Sequence, residues 1–195
     1  GPGQQTKTVK AEAANAKNLD QAGDVKIVID GGTLTVDAEG DGLDANGSIE
    51  INGGTIAVNG PTSGANAALD YDDNGTLNGG TVLFVDNGQM TMGFGSDSNQ
   101  AYLMASIQGT AGTTVEVVDS SGKTVASLKA SKSFSTVLIS SQDIKEGEKY
   151  TIKVGSNTTT ATASKQAVNV GGGPGQGGPG GGQPGQGGPG GRQGR

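Results

Sequence analysis

One short string occurs three times in the N-terminal half of the chain, and this repeat constrains the fold more than any other feature. The copies occupy residues 29–36, 51–58 and 77–84, and each contains Asp or Asn followed by Gly-Gly-Thr. Their threonines stand at positions 33, 55 and 81, which gives spacings of 22 and 26 residues. Apolar and polar residues alternate on both sides of each Gly-Gly pair, and this period of two is typical of β-strands.

Two all-β architectures fit this repeat. In an antiparallel meander, the Asp-Gly-Gly and Asn-Gly-Gly segments would close hairpins. In a parallel β-solenoid, each repeat is one coil, and equivalent residues stack on each other. We favour the second, because the same residue types recur at the same place in both core and turn. The stacked sets would be Ile29, Ile51 and Leu77; Leu34, Ile56 and Val82; and Asp30, Asn52 and Asn78.

A second set of equivalent positions lies outside these strings. The same order of residue types occurs in three four-residue segments, at positions 9–12, 43–46 and 69–72. An apolar residue is followed by a charged one, then by a small or aromatic one, and then by a polar one. Stacking would place Asp44 beside Asp70, roughly 5 Å apart in the hydrogen-bonding direction. Two carboxylates at that distance destabilise each other, and the pKa of one of them rises. A bound cation would remove this conflict.

The segments around these aspartates are rich in oxygen ligands. Calcium takes roughly six to eight oxygens from carboxylates, amides, backbone carbonyls and water, and a turn rich in Gly, Asp and Asn offers all of them. No EF-hand loop is present, and magnesium fits less well because it demands octahedral geometry. The alternative is an ordinary turn in which Asp bonds its own backbone. We therefore predict calcium as the cofactor, with four metal ligands: Asp41, Asp44, Asp70 and Asp72.

Missing residue types exclude several chemistries. The sequence has no His and no Cys, so a Ser-His-Asp triad, a thiol nucleophile and a His/Cys zinc site are ruled out. The net charge is -6, and no Lys or Arg occurs between residues 27 and 122. Such an acidic surface repels the phosphates of nucleic acid, so we expect no nucleic-acid partner. It either binds a cation or is a soluble acidic face that tolerates its own repulsion.

Two stretches of the sequence resemble a family of bacterial cell-surface carbohydrate-binding domains. The first is residues 40–61 with Ala68-Leu-Asp-Tyr-Asp72, and the second is residues 133–141 with 149–152. The resemblance covers about Lys7 to Lys165. It implies a right-handed parallel β-helix, a single-stranded solenoid like that of pectate lyases, which binds calcium and, in relatives, binds cellulose and polygalacturonate without known lyase activity.

The resemblance carries over to this chain at four positions and fails at two places. Asp41, Asp44, Asp70 and Asp72 look like the acidic turn residues of the family. The N-terminal turns of the helix are shortened here, and residues 86–100 carry less of the recognisable pattern. A ligand surface formed by the shortened turns is therefore not implied for this chain.

Catalysis is not expected. Lyase chemistry of the pectate type needs a strong base, commonly Arg, and the only arginines are Arg192 and Arg195 near the C-terminus. A pair of carboxylates acting as glycosidase acid and base remains the enzymatic alternative, because such pairs cleave glycosidic bonds at suitable separation. Stacked acids on a turn more often have structural roles or bind metal.

Few aromatic residues are available to stack on sugar rings, which is the usual way to hold neutral glycans. Phe84 occupies a stacked apolar position and is assigned to the core, while Phe94 and Tyr102 fit either role. Acidic polysaccharide bound through calcium therefore suits the composition better than stacking on cellulose. The predicted glycan contacts are Tyr71, Asn46 and Asp73.

The chain divides into three parts on pattern. We predict the β-helix over residues 1–100, a small antiparallel β subdomain over 101–166, and a disordered Gly/Pro/Gln-rich tail over 167–195. The second part either covers the open end of the helix or folds as an independent sandwich. The tail cannot bury enough apolar area to fold, so it is expected to be a spacer, with wall association as the alternative.

These expectations describe an extracellular or cell-surface binding module. The chain begins at Gly1, with no signal peptide and no apolar run long enough to span a membrane, and it is expected to be a piece of a longer protein. Its predicted function is calcium-dependent, non-catalytic binding of acidic polysaccharide such as polygalacturonate, with cellulose as a further candidate. The alternative is a structural stalk or adhesin segment in which calcium only rigidifies the fold.

Overall fold

A computed structural model describes residues 26–62, 66–87 and 92–166. These residues form an all-β structure without helices, as the sequence predicts. No helix in the described part of the chain is therefore long and apolar enough to cross a membrane. In chain order the strands are β1 Lys26–Ile29, β2 Thr33–Asp37, β3 Leu43–Ala45, β4 Ser48–Ile51, β5 Thr55–Asn59, β6 Leu69–Tyr71, β7 Gly75–Leu77, β8 Thr81–Asp86, β9 Leu103–Gly109, β10 Thr114–Val118, β11 Thr124–Lys129, β12 Phe134–Ser140, β13 Lys149–Val154 and β14 Asn157–Thr162.

Equivalent strands of the three repeats pair in parallel. Strands β1, β4 and β7 form one sheet, β3 and β6 form a second, and β2, β5 and β8 are neighbours in a third. The register follows the sequence repeat, because Thr33 pairs with Thr55 and Thr55 with Thr81. Ile29, Ile51 and Leu77 are likewise aligned. The side chains of Ile51 and Leu77 are completely buried.

The Gly-Gly pairs are required by the backbone at the turns between these strands. The second glycine of each pair has a positive φ, which is 98° at Gly54. The first glycine lies close to the turn of the preceding repeat, since a Cβ on Gly53 would lie 2.6 Å from the carbonyl oxygen of Asp30. The turns can therefore stack closely only if both positions lack a side chain.

The second half of the chain joins the first through a mixed sheet of order β2-β5-β8-β12-β9. Strand β12 runs antiparallel to both β8 and β9. The remaining strands form an antiparallel sheet of order β11-β10-β13-β14. Among the described residues, six strands lie after residue 101, in the part of the chain where the sequence predicts a small antiparallel β subdomain.

Two hydrophobic cores lie on opposite faces of strand β8. Val82 and Phe84 belong to the first core, together with the buried residues of the repeats. Leu83 and Val85 belong to the second, which contains most of the buried residues after residue 100. Burial on both faces explains why the third repeat has a continuous apolar run in β8, whereas apolar and polar residues alternate in the first two repeats.

The prediction that the first half forms a single right-handed parallel β-helix is wrong. The described strands lie in several separate sheets, which are parallel, mixed or antiparallel, and they form no closed helix or solenoid. The physical reason lies in β8, which pairs with β5 on one side and with the antiparallel β12 on the other. Local periodicity indicates strands, whereas the choice of this distant partner depends on contacts across the whole chain.

Parts of the predicted domain organisation lie outside the described residues. Residues 9–12, which the sequence groups with the second set of equivalent positions, and the Gly/Pro-rich tail from residue 167 onward are among them. The domain limits at residues 100 and 166 stay predictions.

Candidate functional site

The predicted metal ligands lie around the two-stranded sheet formed by β3 and β6. In this parallel pair, Asp44 is the register partner of Asp70. The preceding residues, Leu43 and Leu69, are also partners, and their side chains are buried. Because side chains alternate between the two faces of a strand, burial of the leucines turns both aspartates toward solvent.

The electrostatics of this pair reflect crowding of negative charge. Partial removal from solvent raises the pKa of Asp44, and the charges of Asp41, Asp70 and Asp72 raise it further. Burial also raises the pKa of Asp70, with added contributions from Asp41 and Asp72 and an opposing backbone hydrogen bond from Tyr71. Asp41, Asp44, Asp70 and Asp72 therefore act on one another electrostatically, and we call these four residues the acidic edge.

Backbone contacts hold the loops on both sides of the acidic edge. A carboxylate oxygen of Asp41 accepts a hydrogen bond from the backbone N–H of Ala67 at 2.8 Å. The backbone N–H groups of Asp72 and Asp73 both donate to the carbonyl of Gly47, at 3.2 Å and 2.9 Å. The turns that carry the aspartates are thus fixed relative to each other by bonds between successive repeats.

The acidic edge does not form a complete metal centre from protein side chains alone. Within residues 26–62, 66–87 and 92–166, no group of three or more carboxylates is arranged so that it could hold a metal ion. The residues have the right chemistry for a hard cation, because carboxylate oxygens are the ligands that calcium prefers. The assignment of these residues as metal ligands stays a prediction, and any ion here would need further oxygens from amides, backbone carbonyls, water or a bound molecule.

The predicted glycan contacts differ in how free their side chains are. Asn46 and Asp73 are exposed. Tyr71 is half-buried, its hydroxyl donates to the carbonyl of Gly93 at 2.6 Å, and its ring packs against Gly75. Phe84, Phe94 and Tyr102 are buried in the first core, so the sequence assignment of Phe84 is confirmed and the other two are core residues as well.

A ladder of side-chain amides runs along the Gly-Gly turns. The amide of Asn52 donates to the carboxylate of Asp30 at 2.8 Å, and the amide of Asn78 donates to the side-chain oxygen of Asn52 at 2.9 Å. This confirms the ladder predicted from the repeats. The structure adds a member that the repeat pattern did not indicate, because the amide of Asn99 donates to Asn78 at 3.1 Å.

A polar groove lies beside the acidic edge, over the sheet of β1, β4 and β7. Its volume is about 890 Å³. It contains an ion pair between Lys26 and Glu50, which lowers the pKa of Glu50. The sequence analysis missed this groove, although the outward positions of the repeated strands could have indicated it. Its lining residues are Lys26, Ser48, Glu50, Asp72, Asp73, Asn74, Thr76 and Asp97.

Comparison with known proteins adds the evidence that decides the family. A family model described as "Carbohydrate-binding domain-containing protein" matches residues 3–176. The chain belongs to this family. No curated protein and no solved structure gave a match. Membership of the carbohydrate-binding domain family supports a carbohydrate-binding role, a glycan partner and a function as a binding module.

Proposed function

We propose that this carbohydrate-binding domain is an extracellular, non-catalytic module that binds acidic polysaccharide, such as polygalacturonate, through calcium at the acidic edge. The observation that carries the proposal is the pairing of Asp44 with Asp70 on neighbouring parallel strands, where burial and neighbouring carboxylates raise the pKa of both. A divalent cation between these strands would offset the repulsion, and it would carry positive charge toward a uronate chain.

The small number of clustered carboxylates leaves coordination positions on the ion for a bridging role. Calcium takes roughly six to eight oxygens, and no described group of three carboxylates supplies a site by itself. Carboxylates and hydroxyls of a uronate chain, together with water, would complete the coordination. A bridging ion of this kind makes glycan binding depend on calcium, whereas a complete protein cage would only stabilise the fold.

The groove beside the acidic edge offers room for the glycan chain. Asp72 belongs to the acidic edge and also lines the groove, and the exposed Asp73 lies next to it. Hydroxyl and amide groups of Ser48, Asn74 and Thr76 line the same groove. These groups both donate and accept hydrogen bonds, so they suit the hydroxyls of a sugar chain that extends away from the ion.

Calorimetric titration of a short oligogalacturonate into the domain, with calcium and then with a chelator, tests the proposal. We expect binding with calcium, no binding with the chelator, and a loss of binding in the double variant Asp44→Asn with Asp70→Asn. The matched control is Asp143→Asn, which changes an exposed aspartate of the second half. Calcium that raises the melting temperature without promoting oligogalacturonate binding would overturn the proposal in favour of a structural ion.

A further inference from the structure

A second groove lies in the other half of the molecule, away from the acidic edge. It is formed where three segments meet: the end of β9 with the turn that follows it, the start of β12, and the turn between β13 and β14. Its volume is about 490 Å³, which lies in the range of roughly 300 to 1,000 Å³ that is usual for ligand sites.

The chemistry of this groove differs from that of the acidic edge, because no charged side chain lines it. The protein as a whole has a net charge of -6, so an uncharged concave surface of this size is distinct from its surroundings. Its polar lining is made of hydroxyl and amide side chains, which can each donate and accept hydrogen bonds. These side chains are Gln108, Thr110, Thr113, Ser133, Ser135, Ser156 and Asn157.

Two core residues, Phe134 and Val154, close the floor of the groove. The ring of Phe134 and the side chain of Val154 lie beside Gly109, and a Cβ at that position would come within 2.2 Å of the ring and 2.7 Å of Val154. Glycine at position 109 therefore lets the ring pack under the groove. One wall is fixed by Asn157, whose amide donates to the backbone carbonyl of Gln108 at 2.9 Å.

We propose that this groove is a second glycan-binding site and that it takes a neutral oligosaccharide without calcium. Sugar hydroxyls need partners that donate and accept, and the hydroxyl and amide lining provides them. Phe134 and Val154 are buried beneath the groove, so a ligand there would be held by hydrogen bonds to the hydroxyl and amide lining. An uncharged lining has no cation that could pair with a uronate carboxylate, so the site discriminates against acidic glycans that carry no bound cation.

Titration of neutral oligosaccharides in chelator and high salt tests the proposal. The probes are cellopentaose, xylopentaose and mannopentaose, with an oligogalacturonate as the acidic comparison. We expect at least one neutral probe to bind, with an affinity unchanged by calcium, and the oligogalacturonate not to bind under these conditions. The double variant Gln108→Ala with Ser156→Ala should weaken that binding about tenfold, since it removes two hydrogen-bonding side chains.

The two substitutions of this variant should leave the fold intact, because the side chains of Gln108 and Ser156 are exposed. The hydrogen bond from Asn157 is kept, since it goes to the backbone of Gln108. The matched control, Ser127→Ala with Gln142→Ala, changes two exposed residues elsewhere and should bind as the unmodified domain does. Asp44→Asn with Asp70→Asn should also leave neutral binding unchanged, which separates this site from the acidic edge. No binding of any neutral probe, binding that requires calcium, or unchanged binding in the Gln108 and Ser156 variant would each overturn the proposal.

Discussion

The substitution Asp44→Asn should make the domain more stable at neutral pH in low salt and in the presence of a chelator. Asp44 and Asp70 are register partners on neighbouring strands, which places their strands about 4.8 Å apart. Two unit charges about 5 Å apart repel by about 0.8 kcal/mol in the dielectric of bulk water. Because Asp44 is exposed, solvent screens the pair, and we expect a gain of about 0.5 to 1 kcal/mol in the free energy of unfolding.

The gain should depend on pH in a defined direction. The pKa of Asp44 is raised above its ordinary value of 3.8 in the folded state, so the native protein binds this proton more tightly than the unfolded chain does. The stability that comes from this group is therefore complete below pH 3.8 and is lost as the pH rises through the folded pKa. The effect of Asp44→Asn should accordingly be absent in acid and appear as the pH rises toward neutrality.

Urea denaturation followed by circular dichroism over a pH series, in low and high salt, measures this effect. High salt should reduce the difference between the variant and the unmodified domain. Asp143→Asn is the control, because it removes an exposed carboxylate outside the acidic edge. A variant that is less stable at neutral pH, or equally stabilised in acid, would refute the argument that the register forces two charged carboxylates together.

Three further substitutions test the packing and the turns, each by urea denaturation. Phe94→Ala should lower the free energy of unfolding by about 3 to 5 kcal/mol, because the buried ring makes edge contacts with two other aromatic rings at centroid distances of 5.8 and 5.9 Å. Phe94→Leu should lower it much less, and equal losses in the two variants would contradict this packing. Asn52→Ala should cost about 1 to 3 kcal/mol, since it removes three side-chain hydrogen bonds of the amide ladder; an unchanged midpoint would mean that the ladder contributes nothing to stability. Gly54→Ala should lower the free energy of unfolding by about 1 to 3 kcal/mol, because φ is 98° there and L residues are strained at such angles. Gly40→Ala is the control and should be nearly neutral, since its Cβ would have one contact, at 3.9 Å.

The strands and their parallel register could be predicted from the sequence because each copy of the repeat carries its own signals. Alternating apolar residues define the strands, and the Gly-Gly pair defines the turn between them. Asp30, Asn52 and Asn78 recur at the same position, so their ladder follows once the copies are aligned. The pairing of Asp44 with Asp70 follows for the same reason.

The sheet arrangement could not be predicted in this way. Strand β12 begins 53 residues after the start of β8, as their first residues Thr81 and Phe134 show, and nothing repeated in either segment marks them as partners. Strand β8 pairs with β12 where its second face packs into the second core, and that core is assembled from residues far away in the sequence. A continuous apolar run was the available signal, and it fits several buried arrangements.

The uncharged groove was missed for a related reason. Its residues come from three segments that are distant in the sequence, and serine, threonine, glycine and asparagine are ordinary residues of turns. Only their convergence in space distinguishes them from other loops. Asn99 joins the amide ladder in the same unforeseeable way, because it lies outside any copy of the repeat.

The two ends of the parallel sheets differ, and this difference gives the molecule a direction in which it can grow. Strand β8 is covered by β12, and β7 is covered by the segment that follows, where Gly95 and Gln100 donate backbone hydrogen bonds to its carbonyls. Strands β1, β2 and β3 each have one neighbour among the described residues. A further copy of the repeat inserted upstream would lengthen each parallel sheet by about 4.8 Å without disturbing the second core. If that copy carried an aspartate at the position of Asp44, the number of ion-binding positions that we propose would increase in step with length, so that avidity for a polymeric ligand could be adjusted by duplication alone.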